Sequence, residues 1–145
     1  MVVSVESSLS ETKQIKSAII FVDGSAKGNP GPSSGAYLII DESGKEIERK
    51  GFKLGEGTNN RAEYLALLKA LERADELGIE NVEVRSDSEL LVNQINSVYR
   101  VKSKNLIELH KKVKDRIKRF KNFKIVHIPR EQNSLVDKLA RDALK

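Results

Sequence analysis

The sequence predicts an α/β domain in which helices flank a mixed five-stranded sheet with three antiparallel strands and two parallel strands. Short apolar runs rich in Val, Ile and Phe alternate with longer segments of helical periodicity. The first three predicted strands follow one another directly, whereas helices separate the later ones. A length of 145 residues is enough for one domain with its own core.

The strand predicted for residues 18–22 anchors the chain. Its apolar run ends abruptly at Asp23, which places a carboxylate at the edge of a sheet. From Gly24 to Ser34, three glycines and two prolines argue against a helix or a central strand, so we expect backbone amides there to face a ligand. Asp-Gly is also a strong hairpin signal, and a simple turn is the alternative.

The remaining elements follow from periodicity and from signals at helix and strand ends. Sparse apolar residues place the third strand at a sheet edge, and Gly78 ends the first helix. Residues 1–16 are predicted to be a flexible tail, and residues 17–145 the domain. The later strands are predicted at 35–40, 45–54, 82–85 and 123–128, and the helices at 60–77, after 86–89, at 104–120 and at 134–144.

Composition narrows the class of protein. The chain has no cysteine, so disulfides and thiolate metal ligands are excluded. No apolar run approaches the roughly 20 residues that span a bilayer, and the N-terminus lacks the pattern of a signal peptide. We therefore expect a cytoplasmic monomer that does not bind membranes.

Positive charge is concentrated in one segment. The formal net charge is +5, yet residues 99–121 alone hold ten Lys or Arg and two acids, so the rest of the chain is net negative. Such a basic stripe is typical of a surface that binds nucleic acid. A solvated helix face is an equally good explanation.

Four carboxylates lie at predicted strand or helix ends: Asp23, Glu63, Asp87 and Asp137. The first and third end neighbouring parallel strands at one edge, and the other two begin helices that can pack across it. Each also has a simpler explanation as a turn or helix-cap residue. Together, without basic partners, they would repel one another unless divalent cations held them, and oxygen ligands favour Mg²⁺ or Mn²⁺.

At these residues the chain resembles the type 1 ribonucleases H. The matching motifs are Asp23-Gly-Ser with Gly28-Asn-Pro-Gly31, Thr58-Asn-Asn-Arg-Ala-Glu63, Ser86-Asp-Ser-Glu89, and Asn133 followed by Asp137-Lys-Leu-Ala140. The resemblance implies a ribonuclease H-like fold. It also implies an endonuclease that hydrolyses the RNA strand of RNA–DNA hybrids and leaves 3′-hydroxyl and 5′-phosphate ends.

The resemblance also implies residue roles. The four carboxylates Asp23, Glu63, Asp87 and Asp137 would be catalytic ligands of two Mg²⁺ ions, with Mn²⁺ as an alternative. The hybrid would contact the backbone near Gly24 and Ser25, the side chains of Asn29, Asn59 and Asn60, and, through a DNA phosphate, Thr58. Asparagines before a helix are also ordinary capping residues.

Three features depart from the family pattern. Glu89 stands where the family often has glutamine. Tyr99-Arg-Val-Lys102 stands where many members have a basic protrusion. Contacts with the substrate must then come from Lys102, Lys104 or the basic helix. A mobile histidine often assists in this family, and His127 has a suitable spacing. Because His127 falls in a strand-like alternation, we expect Arg130 to assist catalysis instead.

Two other functions fit the motifs. A catalytically silent domain could bind duplexes, although such domains normally lose an acidic ligand. A nuclease of the same fold could act mainly on double-stranded RNA or on DNA.

Overall fold

The computed structural model describes residues 15–145 and contains one five-stranded sheet, ordered β3-β2-β1-β4-β5. The first three strands are antiparallel, and β1, β4 and β5 run parallel, as predicted. The strands are β1 (Ser17–Ala26), β2 (Gly31–Asp41), β3 (Glu46–Gly57), β4 (Asn81–Ser86) and β5 (Asn122–His127). The helices are α1 (Asn59–Glu76), α2 (Glu89–Ile95), α3 (Lys104–Ile117) and α4 (Ser134–Ala143), with a 3-10 turn at Arg130–Asn133.

The two faces of the sheet enter separate cores, because successive side chains of a strand point to opposite faces. The main core includes Ile20 and Val22 of β1 packed with Tyr64, Leu67 and Leu71 of α1. The smaller core is formed by residues of β2 and α4, namely Ala36, Leu38, Val136 and Ala140. The helices on one face and α4 on the other therefore hold β1 in the middle of the domain.

All four predicted helices are present, but α3 is shorter than predicted and one residue of α4 is more exposed than predicted. Gly78 follows α1 with a φ of 76°, which is the left-handed conformation expected of a glycine after a helix. The basic helix α3 ends at Ile117, and Phe120 is buried in the turn beyond it. Helical periodicity predicts that the last helix packs through Leu135, Val136, Leu139, Ala140 and Ala143, but this is wrong for Leu135, whose side chain is 38% exposed on the first turn of α4.

The segment after Asp23 is mostly paired, which corrects the prediction of an open loop. β1 continues to Ala26, β2 starts at Gly31, and Ser25 lies opposite Ser34. The backbone N–H of Lys27 donates to the Pro32 carbonyl oxygen at 2.8 Å and closes the turn. The alternative of a turn at Asp23-Gly24 is also wrong, because both residues pair with β2 and the turn lies further on, between Ala26 and Gly31. Glycine and proline had concealed the strand alternation.

The beginning of the described chain also differs from the predicted tail. Residues 1–14 lie outside the described residues. Ile15 packs against the main core, and the Lys16 carbonyl oxygen accepts the backbone N–H groups of Glu80 and Asn81 at 2.9 and 2.8 Å. Ile15 and Lys16, which the prediction placed in the tail, therefore contact the domain. No helix within residues 15–145 combines the length and apolar character needed to cross a bilayer.

Candidate active site

Asp23 and Asp87 lie at the same edge of the sheet, where the pairing of β1 with β4 ends. Val22 of β1 lies opposite Ser86 of β4 in the parallel register, and each aspartate follows directly. The carboxyl ends of parallel strands share one edge, so the two side chains start side by side. This confirms the placement predicted from the order of the strands.

Glu63 reaches the same edge because α1 packs closely on β1. A Cβ atom at position 24 would overlap the main chain of Ala62, so only glycine permits this approach. The backbone N–H of Gly24 donates to Glu63 Oε1 at 2.9 Å. This bond anchors the glutamate beside Asp23, and it also means that the Gly24 N–H is already engaged within the protein.

The simpler capping explanations for the two acids do not hold. Thr58 is the N-cap of α1, and its Oγ1 accepts the backbone N–H of Arg61 at 3.2 Å. Ser88, rather than Asp87, is the N-cap of α2. The carboxylates of Glu63 and Asp87 are therefore not used as helix caps.

Three carboxylates form a compact cluster. Asp23, Glu63 and Asp87 each offer one oxygen, and these oxygens all lie within 4.8 Å of one another. Asp23 is only 6% exposed. None of the three forms a salt bridge with a Lys, Arg or His among residues 15–145. The cluster therefore carries negative charge that no basic side chain of this part of the chain compensates.

Burial and this uncompensated charge raise the pKa values of Asp23 and Glu63. Burial, with smaller contributions from the charges of Asp87 and Asp137, raises the pKa of Asp23 from its ordinary value of 3.8 to about 8. Burial and the charge of Asp23 likewise raise the pKa of Glu63 well above its ordinary value. Such shifts are typical of carboxylates that lack a neighbouring cation.

Asp137 lies next to the cluster rather than inside it. It is close enough to contribute to the raised pKa of Asp23. Its Oδ2, however, accepts the Nε–H of Arg141 one turn further along α4, at 3.2 Å. The structure thus brings three of the four predicted ligands together and pairs the fourth with arginine.

The donor set fits a hard divalent cation. All the candidate ligands are carboxylate oxygens, which suit Mg²⁺, Ca²⁺ or Mn²⁺. A bound cation would also relieve the repulsion that raises the pKa of Asp23. Asp23, Glu63 and Asp87 would hold it directly, and Asp137 lies nearby.

Two of the predicted substrate residues connect the β1–β2 hairpin to α1. Asn29 Oδ1 accepts the backbone N–H of Asn59 at 3.0 Å, and Asn59 Oδ1 accepts that of Ala26 at 2.7 Å. Both bonds use the carbonyl oxygen of the side chain, so the two amide NH₂ groups stay available as donors. Asn60 and Thr58 are exposed at the start of α1, and Ser25 is half-buried in β1.

The candidates for an assisting residue lie beyond β4. His127 is the exposed last residue of β5, opposite Ser86, and Arg130 is exposed on the 3-10 turn. Glu89 is exposed in the first turn of α2.

The sequence analysis assigned no role to Asn133, although this residue belongs to the final motif. In the structure this side chain is buried and bonds Asp87.

A mixed sheet ordered β3-β2-β1-β4-β5, with acids clustered at the β1–β4 edge, defines a ribonuclease H-like domain with a candidate metal site. Residues 21–143 match the family described as reverse transcriptase-like. The crystal structure of RNase H1 from the halophilic archaeon Halobacterium salinarum NRC-1 superposes with a TM-score of 0.86. It is 32% identical over 88% of this chain and 97% of that chain.

LC11-RNase H1, isolated from compost, was solved in complex with an RNA/DNA hybrid and superposes with a TM-score of 0.83. It is 43% identical over 87% of this chain and 95% of that one. The chain belongs to the type 1 ribonuclease H family.

Two relatives of known sequence are longer than the region that matches this chain. Ribonuclease HI of Halobacterium salinarum is 33% identical over 124 residues, which cover 86% of this chain and 62% of the relative. Bifunctional protein Rv2228c of Mycobacterium tuberculosis is 32% identical over 127 residues, 87% of this chain and 35% of the relative. The chain therefore spans between a third and two thirds of the length of these two proteins.

The substitution Asp23→Asn should stabilise the metal-free protein. Because folding raises the pKa of Asp23, the folded state binds more protons than the unfolded state between about pH 4 and pH 8, and stability falls as the pH rises through this range. Asparagine removes the charge and should raise the free energy of unfolding at pH 8 by about 1–3 kcal/mol. Urea unfolding in EDTA at pH 5 and pH 8 measures both effects.

Asp41→Asn is the control, since Asp41 accepts hydrogen bonds from Ser43 and Lys45 in an exposed turn, and these lower its pKa. The control should not gain stability at pH 8. A lower stability of Asp23→Asn than of the parent at pH 8 in EDTA would contradict the electrostatic account.

Proposed function

We propose that this protein is an endoribonuclease that hydrolyses the RNA strand of RNA–DNA hybrids and leaves 3′-hydroxyl and 5′-phosphate ends. The observation that carries the proposal is the convergence of Asp23, Glu63 and Asp87 without a basic partner. The likeness to LC11-RNase H1, which was solved with an RNA/DNA hybrid, supports the substrate class.

The cluster would hold two Mg²⁺ ions, with Mn²⁺ as the alternative. Asp23, Glu63 and Asp87 would provide the central ligands, and Asp137 would join through Oδ1, because Arg141 bonds only its Oδ2. Divalent ions in such a site activate water and neutralise charge that develops on the phosphate. The protein's part is to hold the carboxylates in place, which the Gly24 N–H does for Glu63, and a bound cation would favour their ionised form.

Substrate positioning would depend on polar groups around the hairpin and the start of α1. The amide NH₂ groups of Asn29 and Asn59, together with Asn60, can donate to the hybrid, and Thr58 can bond a phosphate of the DNA strand. A 2′-hydroxyl both donates and accepts, so the backbone carbonyl groups near Gly24 and Ser25 can distinguish RNA from DNA. The exposed guanidinium of Arg130 would assist at the scissile phosphate.

The direction of α3 shows which of its basic residues face the same edge as the cluster. His110 packs edge-on against Tyr64, one residue after Glu63, with the ring centroids 6.3 Å apart. Arg116 pairs with Asp75, near the end of α1, at 3.0 Å. The two helices therefore run in the same direction, and the first half of α3 lies toward the acidic edge.

Ion pairs divide the basic segment in the same way. Toward its end, Arg116 and Arg119 pair with Asp75, Lys118 with Asp115, and Lys121 with Glu80. Before these, Arg100, Lys102, Lys104, Lys111 and Lys112 form no ion pair with any residue between 15 and 145, and the Lys114 ammonium donates instead to the Ile95 carbonyl oxygen at 2.6 Å. The unpaired basic residues thus all precede Asp115, and Arg100, Lys102 and Lys104 among them belong to the half that lies toward the acidic edge.

We propose that the sugar-phosphate backbone of the duplex binds these five unpaired basic residues. We call them the basic entry surface (Arg100, Lys102, Lys104, Lys111 and Lys112). Arg100 and Lys111 of this surface line a groove of about 600 Å³ together with Val98, Tyr99 and Ile107, three of the four exposed large hydrophobic residues between 15 and 145. Charge together with an exposed aromatic ring is typical of surfaces that bind nucleic acids. The basic entry surface would make the contacts with the duplex that a basic protrusion, absent from this chain, makes in other members of the family.

Cleavage of a labelled hybrid is the direct test of the proposed activity. The parent should cut the RNA strand internally only with Mg²⁺ or Mn²⁺ present, and Asp23→Asn should lower the rate by at least 10³-fold, because it removes a central metal ligand. Duplex RNA and duplex DNA of the same sequence serve as comparison substrates. Equal rates for the parent and Asp23→Asn would eliminate the proposed site.

The same experiment separates the two rival functions. Hybrid binding without cleavage in any divalent ion would identify a silent binding domain. Faster cleavage of duplex RNA or duplex DNA than of the hybrid would identify a nuclease of the same fold with another substrate.

Neutralising the basic entry surface should weaken hybrid binding. The triple variant R100Q/K102Q/K104Q should raise the KM for the hybrid about 10-fold at 0.1 M salt and leave kcat within twofold, because backbone contacts contribute mainly to binding. It should also reduce the slope of log Kd against log salt by about 2–3, one for each lost phosphate contact.

The matched control is K118Q/R119Q/K121Q, which removes the same number of exposed charges from the opposite half. This control should change KM by less than twofold. Equal effects of the two triple variants would show that the duplex does not select the basic entry surface.

A further inference from the structure

The 3-10 turn before α4 carries a buried amide with two partners in the candidate site. Asn133 is 1% exposed, and its Nδ2 donates to the Val22 carbonyl oxygen at 2.9 Å and to Asp87 Oδ2 at 3.3 Å. Val22 directly precedes Asp23. One NH₂ group therefore joins the main chain that carries Asp23 to the carboxylate of Asp87, immediately before the helix that carries Asp137.

The orientation of the Asp87 carboxylate depends on its hydrogen bond from Asn133. The pairing of β4 with β1 ends at Ser86, so the sheet register does not extend to Asp87. Glu63 is held by the Gly24 N–H, whereas the only hydrogen bond to the Asp87 carboxylate within the described chain comes from Asn133. Without it, repulsion from Asp23 and Glu63 would favour rotation of Asp87 away from the cluster.

A neutral donor suits this task better than a charged one. Lys or Arg at this position would neutralise the carboxylate and compete with a cation for its oxygens. The amide bonds Oδ2, and Oδ1 of Asp87 accepts no hydrogen bond within the described chain. Asn133 Oδ1 has no hydrogen-bond donor within residues 15–145, so this side chain makes its hydrogen bonds to the described residues through its NH₂ group.

We propose that Asn133 is a positioning residue that orients the Asp87 carboxylate toward Asp23 and Glu63 and thereby sets the affinity of the cluster for divalent cations. This inference rests on the proposed function, since it takes the cluster to be a metal site. Residues that orient metal ligands typically change metal affinity by 10–100-fold when they are replaced.

The test is calorimetric titration with Mg²⁺ alone, in the absence of nucleic acid. Asn133→Leu keeps a similar volume but has no donor, and it should weaken Mg²⁺ binding at least 10-fold. In the cleavage assay, kcat at limiting Mg²⁺ should fall while the KM for the hybrid stays within twofold. Raising the Mg²⁺ concentration should restore most of the rate, which a general packing defect would not allow.

Gln132→Leu is the matched control, because Gln132 is an exposed amide on the same turn. It should bind Mg²⁺ like the parent. If Asn133→Leu does not fold, Asn133→Ser takes its place, since serine is polar but too short to reach both acceptors, and the same 10-fold loss is expected.

The outcomes distinguish this inference from the proposed function. If the parent binds Mg²⁺ and cuts hybrids but a folded Asn133 variant matches its Mg²⁺ affinity within twofold, the positioning role is overturned and the proposed function stands. If the parent neither binds Mg²⁺ nor cuts hybrids, the proposed function is overturned and this inference with it.

Discussion

The parallel pairing of β1 with β4 is the constraint on which the site depends. It brings Val22 and Ser86 side by side, so that the next residue of each strand is an aspartate at one edge. Burial of Ile20, Val22, Val82 and Val84 in the main core holds the two strands in this register. A shift by one residue would turn these side chains to the opposite face, so the core that stabilises the fold also aligns the carboxylates.

The close approach of these carboxylates is electrostatically unfavourable for the folded protein. Three carboxylates share a small volume with no salt bridge to a basic residue of the described chain, and burial raises the pKa of Asp23 to about 8. Single hydrogen bonds orient two of these groups: the Gly24 N–H bonds Glu63, and the Asn133 amide bonds Asp87. A domain normally has only about 5–15 kcal/mol of net stability, so such repulsion is a substantial term that a bound cation would remove.

Much of the fold could be predicted from the sequence because its signals are local. Alternating apolar residues, the glycine after α1 and the proline after β5 identify most of the elements and the order of the strands. The hairpin after Asp23 was missed because its glycines and prolines conceal the strand pattern, although Ser25 and Ser34 are paired. Leu135 was misplaced because helical periodicity does not specify which flank of a helix meets the sheet.

The site was predictable in its residue types but not in its contacts. The motifs identified Asp23, Glu63 and Asp87, which the structure clusters. The i, i+4 spacing of Asp137 and Arg141 on a helix is compatible with their ion pair. The bridge made by Asn133, however, depends on side-chain directions that no spacing shows. Likewise, the division of the basic segment into paired and unpaired halves appears only when α3 is placed beside the acidic residues of α1.

The central claim is that the clustered carboxylates are a metal site. A crystal of the protein grown with Mn²⁺ and measured for anomalous scattering tests it most directly. The account predicts a peak with carboxylate oxygens of Asp23, Glu63 and Asp87 at about 2.0–2.3 Å, the range expected for small divalent ions. Well-ordered carboxylates with no anomalous peak among them at millimolar Mn²⁺ would contradict it.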